Sequence, residues 1–387
     1  MKYPKYLAEG GRIGFIAPSF GCSFSPYAEK FDSALKKLSE LGYINILGSN
    51  VRKSDGIGKS TKAVDCGAEI NEFFLSDNCD VIMSCGGGET MCEDLAFVDF
   101  DKIKETGGKW YMGYSDNTNL TFLLPLLCDI AAIYGPSAPA FGMRDWHPSI
   151  NDAMELLKGR KRSFANYDGW EAESLVTEDN PLEPFNITMP YKQLVVGAEL
   201  KPDRLKNMHD SGKTGESAVQ GKNVPAENTV AVAEGENSGR KTGASAGVSF
   251  SGRLMGGCLD CLVTLCGTKF DKVKEFNGRY KEDGVIWFLE SCDLNPFGIR
   301  RAIWQLKNAG WFDNAKGFLI GRPGHIGENM WGLTCDAAAI SMLRELELPI
   351  VLNVDIGHIS PRIPIVSGGL AEVDAVDNSL NIRYLEG

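Results

Sequence analysis

A serine stands where an apolar run gives way to a polar cluster, in the stretch WYMGYSDNTN at positions 110–119. Residues 113–117 read Gly-Tyr-Ser-Asp-Asn, close to the Gly-x-Ser-x-Gly turn that exposes a nucleophilic serine, with Asn117 replacing the last glycine. Such a turn aims the next backbone N–H, that of Asp116, at an oxyanion forming beside the serine. Ser115 or Asp116 could equally cap the helix that follows, so this stretch alone leaves both interpretations open.

A serine hydroxyl needs a base, and two histidines follow apolar strands. His358 comes after PIVLNVDIG and precedes a loop with two prolines, whereas His325 lies in the glycine-containing loop RPGHIGEN. We favour His358 as the base and place His325 second, although a single histidine is more often structural than catalytic.

A carboxylate that orients the imidazole would complete the set. Glu290 follows the five apolar residues VIWFL directly, and a carboxylate there is costly unless it is hydrogen-bonded, which suits an imidazole N–H. Asp355 is a rival, three residues before His358. Glu290 could also emerge into solvent or pair with Arg300 or Arg301.

Three consecutive glycines follow another apolar strand in VIMSCGGGET, at positions 86–88. A loop of this kind brings backbone N–H groups close to a ligand. It lacks the spacing of a dinucleotide motif and the lysine of a P-loop. It is suited to form half of an oxyanion hole, or it is an ordinary turn.

The elements that must position these residues alternate in the first third of the chain. Apolar runs such as RIGFIAPS, INILG and CDVIMSC are separated by stretches with helical periodicity, YAEKFDSALKKLSELG and CGAEINEFFLSDN. This alternation predicts βαβ units and a mostly parallel sheet flanked by helices. The tail AEVDAVDNSLNIRYL alternates like an edge hairpin.

The length of 387 residues favours two domains, which we place at residues 1–165 and 166–387. The first carries Ser115, and the second carries Glu290 and His358. The second also contains a polar, glycine-rich insertion around residues 197–247, with a possible strand at Thr229–Ala233.

The amino-acid composition limits the classes of partner that the protein can bind. A formal net charge of −11 argues against nucleic acid or an anionic membrane as a partner. No apolar run of about 18 residues or signal sequence is present, so we expect a cytoplasmic protein. Eleven scattered cysteines fit reduced thiols, and we interpret Cys258-x-x-Cys261 as small core residues rather than a metal or redox site.

Taken together, segments along most of the chain resemble the LD-carboxypeptidase family of serine peptidases, which includes the microcin C self-immunity proteins. GYSD and its spacing to ESCD and GHISP are specific for this family. The segments that carry the resemblance are, in order, IGFIAPS, VIMSCGGGET, FVDFDKI, GYSDNTNL, YGPSAPAFG, GRLMGGCLDCLVTLCGT, FLESCDLNPFGIRRAIWQL, GFLIGRP and DIGHISPRIPIVSGG.

The resemblance implies a Ser–Glu–His triad at Ser115, Glu290 and His358. It implies oxyanion donors at the amide of Asp116 and at Gly87 or Gly88. It also implies a β-rich α+β C-terminal domain, a homodimer, and a reaction that passes through an acyl-enzyme without a metal or organic cofactor.

Two substrates are implied. The shorter family members remove D-alanine from muropeptide tetrapeptides in cell-wall recycling, and the immunity-type members cut an amide between a peptide and a nucleotide-like group. The segment between serine and glutamate is long here and contains Trp170, which could stack on a nucleobase, although such aromatics more often pack a small core. The alternatives are a cysteine amidase using Cys85 or Cys292 and a binding module without catalysis.

Overall fold

A computed structural model describes residues 1–56, 58–197 and 247–386. The predicted insertion, including the possible strand at Thr229–Ala233, lies outside these ranges apart from its end residues. Within the described ranges, every helix is too short or too polar to cross a lipid bilayer.

The described residues form strands and helices that alternate through most of the chain. The strands are β1 (Arg12–Ile16), β2 (Ile44–Leu47), β3 (Val81–Ser84), β4 (Trp110–Gly113), β5 (Ala132–Tyr134), β6 (Ser163–Ala165), β7 (Gly169–Glu171), β8 (Ile187–Pro190), β9 (Leu194–Val196), β10 (Gly247–Cys258), β11 (Val285–Glu290), β12 (Ala315–Gly321), β13 (Asn329–Met330), β14 (Leu333–Thr334), β15 (Ile350–Val354), β16 (Ile365–Ser367), β17 (Leu370–Val376) and β18 (Ser379–Tyr384). The α-helices are α1 (Tyr27–Glu40), α2 (Ala63–Leu75), α3 (Phe100–Glu105), α4 (Thr118–Leu123), α5 (Pro148–Leu157), α6 (Leu259–Leu265), α7 (Val273–Arg279), α8 (Pro296–Asn308) and α9 (Cys335–Leu343).

The first sheet has six strands in the order β16-β5-β4-β3-β1-β2. Strands β1 to β5 pair in parallel, and β16 closes one edge as an antiparallel strand. Every residue of β3 and β4 is buried, as expected for a parallel sheet covered on both faces. The prediction of a largely parallel sheet flanked by helices is confirmed.

The second sheet has eight strands in the order β6-β18-β17-β10-β11-β12-β15-β9. Strands β10, β11, β12 and β15 pair in parallel at its centre, and antiparallel strands flank them on both sides. The C-terminal tail forms the predicted hairpin of β17 and β18, but it is not at the edge because β6 pairs with β18. A second, β-rich domain is therefore present, as predicted.

The two sheets exchange strands across the predicted domain boundary. β6 precedes residue 166 yet belongs to the second sheet, whereas β16 follows it and completes the first sheet. One continuous apolar core contains buried residues of both sheets, among them Ile133 of β5 and Phe288 of β11. The division at residues 165 and 166 stays a prediction, and the exchanged strands join its two sides.

The end of β10 lies against the neighbouring strand and against α4, because two glycines provide no side chain there. A Cβ atom at Gly256 would lie 1.8 Å from the carbonyl oxygen of Phe288, and one at Gly257 would lie 2.6 Å from Thr118 Cγ2. Thr118 Oγ1 then accepts a hydrogen bond of 3.0 Å from the Cys258 N–H. This close approach joins the second sheet to the helix that follows Ser115.

We expect Gly256→Ala to destabilise the fold by about 1–3 kcal/mol, because the added methyl group overlaps backbone and the φ of 149° disfavours L side chains. Chemical denaturation measures the free energy of unfolding. The matched control is Gly278→Ala in α7, where a Cβ atom has no neighbour within 4 Å and alanine favours the helix. Equal stability of the two variants would contradict this account of β10.

Candidate active site

Ser115 occupies a tight turn between β4 and α4. Its φ is 65°, a left-handed conformation that is uncommon for a residue other than glycine and costs roughly 1–3 kcal/mol. A short 3₁₀ turn at Ser115–Asn117 leads from the strand into the helix. The predicted strand–serine–helix corner is present, and its backbone strain is typical of a functional turn.

Asn117, which replaces the last glycine of the sequence pattern, fastens this turn. Its side-chain amide donates hydrogen bonds to the carbonyls of Gly86 (2.9 Å) and Tyr114 (3.0 Å). Its side-chain oxygen accepts a hydrogen bond from the Tyr111 hydroxyl. The asparagine thus connects the serine turn to the glycine loop, which a glycine could not do.

The structure brings the side chains of Ser115, His358 and Glu290 together. His358 Nε2 lies 2.8 Å from Ser115 Oγ, and His358 Nδ1 lies 2.9 Å from Glu290 Oε2. A carboxylate can only accept, so Nδ1 carries the proton and Nε2 is left to accept one from the serine hydroxyl. Glu290 is buried and the His358 side chain is 19% exposed, so the acid end of this chain of hydrogen bonds is closed to solvent while the imidazole and the serine are accessible.

Tyr134 is a further member of the site that the sequence analysis missed. Its buried hydroxyl donates to Glu290 Oε1 and accepts the backbone N–H of Ser115 at 3.1 Å. The signal was available, since Tyr134 ends β5, and polar groups at the carboxyl ends of parallel strands meet at one edge. Tyr134 thereby connects the acid of the site to the backbone of the serine turn.

Burial and charge oppose each other in the His358–Glu290 pair. Burial raises the pKa of Glu290, but His358 and the hydrogen bonds from Tyr134 and Cys258 outweigh it, and the net pKa lies below the ordinary value. Burial lowers the pKa of His358, but the charge of Glu290 and the contact with Cys292 raise it well above the ordinary value. Glu290 is therefore ionised and increases the basicity of His358.

The glycine loop lies against the serine. A Cβ atom at Gly87 would lie 2.8 Å from Ser115 Oγ and 3.5 Å from the backbone nitrogen of Asp116. One at Gly88 would meet Gly58 and Ser19 instead. The oxyanion donors predicted at Gly87, Gly88 and Asp116 stay a prediction, and Gly87 is the glycine in contact with the serine.

The carboxylate of Asp116 has a structural position behind the serine turn. It accepts hydrogen bonds from the Ser19 hydroxyl, the Met91 N–H (2.9 Å) and the Asn119 side chain (3.0 Å). These contacts hold the turn against the loops that follow β1 and β3. The side chain of Asp116 therefore supports the turn, while its backbone nitrogen lies near Gly87.

The rival base and acid lie elsewhere. His325 Nδ1 pairs with Glu328 at 2.8 Å, and its side chain is 43% exposed. Asp355 is buried against Arg322 and accepts the Tyr167 N–H at 2.8 Å. Neither residue forms a hydrogen bond or ion pair with Ser115 among the described residues, whereas Glu290 bonds His358 and Tyr134 rather than an arginine.

The cysteines near the site differ in their surroundings. All eleven cysteines of the chain are free thiols, and burial raises the pKa of Cys85 well above that of an ordinary thiol. Cys292 lines the cavity beside His358. Cys258 Sγ lies within 4.8 Å of ligand atoms of Glu290 and His358, a set that could approach a metal ion. Both nitrogens of His358 already take part in hydrogen bonds, so a metal would have to displace the contact with Glu290 or Ser115.

Ser115 and His358 open into a cavity of about 430 Å³. Its wall includes the three glycines at 86–88, Tyr114, Glu171 and Phe185. Trp170 is not among the lining residues; its ring lies 5.7 Å from the guanidinium of Arg322. The substrate contact suggested for Trp170 stays a prediction, and its neighbour Glu171 takes the position on the wall.

Comparisons with known proteins agree with this architecture. Residues 13–135 match the LD-carboxypeptidase N-terminal domain, and residues 251–373 match the LD-carboxypeptidase C-terminal domain. A probable murein peptide carboxypeptidase of Bacillus subtilis (strain 168) is 24% identical over 399 aligned positions, covering 98% of this chain and 94% of the relative.

Solved structures show the same fold at low identity. An MccF-like protein from Bacillus anthracis str. Ames has a TM-score of 0.74 at 20% identity, with 99% of this chain and 100% of that chain covered. The microcin C7 self-immunity protein MccF, in complex with aspartyl sulfamoyl adenosine, has a TM-score of 0.70 at 18% identity, with 99% and 98% covered.

We expect Glu290→Gln to lower the pKa of His358 by about one pH unit or more, since the change removes the adjacent negative charge but preserves the shape. NMR titration of the histidine ring protons measures this pKa. Glu328→Gln, beside His325, is the control and should leave His358 unchanged. A His358 pKa that is the same in both variants would show that Glu290 does not set its charge.

Proposed function

The chain belongs to the LD-carboxypeptidase family, and from this premise we propose that it is a serine peptidase that hydrolyses an amide bond in a small peptide-derived substrate. The observation that carries the proposal is the hydrogen-bonded series Glu290–His358–Ser115 at the floor of an open cavity. A buried acid, an oriented imidazole and a strained serine are the three parts that a serine nucleophile needs.

The proposed reaction begins when Ser115 Oγ attacks the amide carbonyl while His358 Nε2 accepts its proton. Glu290 holds the imidazole in the tautomer that can accept and stabilises the imidazolium that forms. The amides near Gly87 and Asp116 would stabilise the oxyanion, each by about 3 kcal/mol. The close packing of Gly87 against Ser115 and the backbone of Asp116 supports this role.

The tetrahedral intermediate then collapses as the carbon–nitrogen bond breaks and His358 returns its proton to the leaving amine. The product of this step is an ester between the acyl group and Ser115. Water, giving its proton to His358, attacks the ester and releases the acid. The cycle ends with Ser115 protonated and His358 neutral.

Two substrates remain under this proposal. The Bacillus subtilis relative is named a probable murein peptide carboxypeptidase, and MccF has been solved with aspartyl sulfamoyl adenosine. We propose a muropeptide tetrapeptide as the first candidate and a peptidyl-nucleotide as the second. We also propose a cytoplasmic homodimer that acts in peptidoglycan recycling without a metal or organic cofactor.

We expect Ser115→Ala to abolish hydrolysis while the protein stays folded, because the acyl group then has no oxygen to which it can transfer. The measurement is mass spectrometry of the products from a muropeptide tetrapeptide and from an aspartyl-nucleotide amide, with circular dichroism as the test of folding. The wild type should also react with a fluorophosphonate at Ser115.

Cys292→Ser is the matched control, because Cys292 is the one of the two lining thiols, Cys85 and Cys292, that contacts His358. Its activity should persist, and thiol alkylation of the wild type should not abolish turnover. Loss of activity in this variant with full activity in Ser115→Ala would identify a cysteine amidase. A wild type inert to both substrates and to the fluorophosphonate would indicate a binding module instead.

We expect kcat/KM to rise with pH through an apparent pKa above 6.5, the ordinary value for histidine. The rate rises with pH because only neutral His358 can accept the serine proton. The raised pKa keeps His358 protonated, and so inactive as a base, up to higher pH. Initial rates across the pH range in which circular dichroism is constant give the profile. A rate that falls over the same interval would exclude His358 as the base.

A further inference from the structure

One cation in the cavity has no hydrogen-bond or ion-pair partner among the described residues. Lys30 of α1 lines the wall, and its ammonium makes no hydrogen bond or ion pair with any residue that the structure describes. Burial lowers its pKa, and the nearby carboxylate of Glu171 is engaged by the Asn186 N–H at 2.9 Å. The negative charge of Glu171 acts on Lys30, but the two form no ion pair in the part of the chain that the structure describes, so the ammonium keeps donors free for a ligand.

Two more donors lie next to it. The guanidinium of Arg362 lies 4.1 Å from the ring centroid of Tyr114, and its Nε and Nη2 donate to the carbonyls of Gly357 (2.8 Å) and His358 (3.2 Å). Arg362 Nη1 and the Tyr114 hydroxyl have no hydrogen bond to another described residue, and both residues line the cavity. The charges of Arg362, His358 and Lys30 all act on Tyr114 and help to lower its pKa.

Two of these donors, Tyr114 and Arg362, contact His358. The ring of Tyr114 is 5.3 Å from that of His358, and Tyr114 directly precedes Ser115. In the proposed reaction, the leaving amine takes its proton from His358. The donors therefore flank the side of the cavity that the leaving group would occupy.

Besides Glu171, the charged residues that complete the wall are Glu183 and Glu89, and both are negative. Glu183 pairs with Arg144, and Glu89 lies with Asp293, Asp116 and Asp260, whose charges help burial to raise its pKa. A negatively charged substrate group would be repelled there and attracted to Lys30. The cavity thus has one side that suits an anion.

We propose that Lys30, Tyr114 and Arg362 form a subsite for the free carboxylate of the residue that the enzyme releases. This inference rests on the proposed function, and it explains why the cleaved residue would have to be C-terminal. Ammonium, hydroxyl and guanidinium donors together match the oxygens of one carboxylate. An anionic phosphoryl group on a nucleotide leaving group shares this chemistry, and the test separates the two.

The experiment compares a muropeptide tetrapeptide with its C-terminal amide in the wild type and in Lys30→Met. We expect the wild type to prefer the free acid by about 10- to 100-fold in kcat/KM, as charge-assisted hydrogen bonds would give. Lys30→Met should lose most of this preference by slowing the acid alone, and Lys30→Arg should restore part of it. Lys36→Met, an exposed position on the same helix, is the matched control.

Binding to Ser115→Ala keeps the test independent of turnover. Titration with the acid and the amide should show tighter binding of the acid, and this difference should disappear in the Lys30→Met double variant. Equal affinity, or an equal loss for both ligands in Lys30→Met, would overturn the subsite. An inert wild type whose Ser115→Ala variant still prefers the acid would refute the proposed function but support the subsite.

The last comparison repeats the wild-type and Lys30→Met assays with an aspartyl-nucleotide amide as the substrate. If the wild type cleaves this compound alone and Lys30→Met slows it, the anion is a phosphoryl group and the carboxylate assignment is wrong. If Lys30→Met slows only the free acid, the carboxylate assignment is supported.

Discussion

The site depends on one buried negative charge. Glu290 lies at the end of β11 with its side chain fully out of solvent, and an isolated carboxylate there would be strongly disfavoured. His358 and Tyr134 compensate for the lost hydration, one with a ring N–H and the other with a hydroxyl. Tyr134 also accepts a hydrogen bond from the Ser115 N–H. The carboxylate of Glu290 therefore orients the imidazole directly and holds the serine turn through Tyr134. Removing it would affect every other contact of the site.

Close backbone packing makes this arrangement possible. The glycine loop can lie against Ser115 because Gly87 has no side chain, and β10 can lie against α4 because Gly257 has none. Asn117 and Asp116 then fasten the strained turn from both sides. The strain at Ser115 is thus maintained by contacts from the loops that follow β1 and β3 and from Tyr134 at the end of β5, which is how an unfavourable φ persists in a folded protein.

Much of this could be predicted from local patterns. The alternation of apolar runs and helical stretches gave the parallel first sheet, and polar residues that end apolar strands gave Ser115, Glu290 and His358, which the structure places in hydrogen-bonding contact. Tyr134 was missed because a tyrosine at the end of a short apolar strand looks like a core residue. The tail was wrongly placed at a sheet edge, since β6 comes from a distant segment to pair with it. The substrate contact of Trp170 stays a prediction, although its neighbour Glu171 lines the cavity.

The sequence by itself determined the elements, the family and the residue types available for chemistry, because these depend on periodicity and on short patterns. Only the tertiary structure decided which strand ends share a cavity. Ser115 and His358 are 243 positions apart, and Tyr134 and Glu290 are 156 apart, so their contacts depend on how two sheets pack and exchange strands. The same holds for the ammonium of Lys30, which has no hydrogen-bond or ion-pair partner within residues 1–56, 58–197 and 247–386. Whether a lysine has a partner depends on every neighbour that folding brings near it, and no local pattern encodes that set.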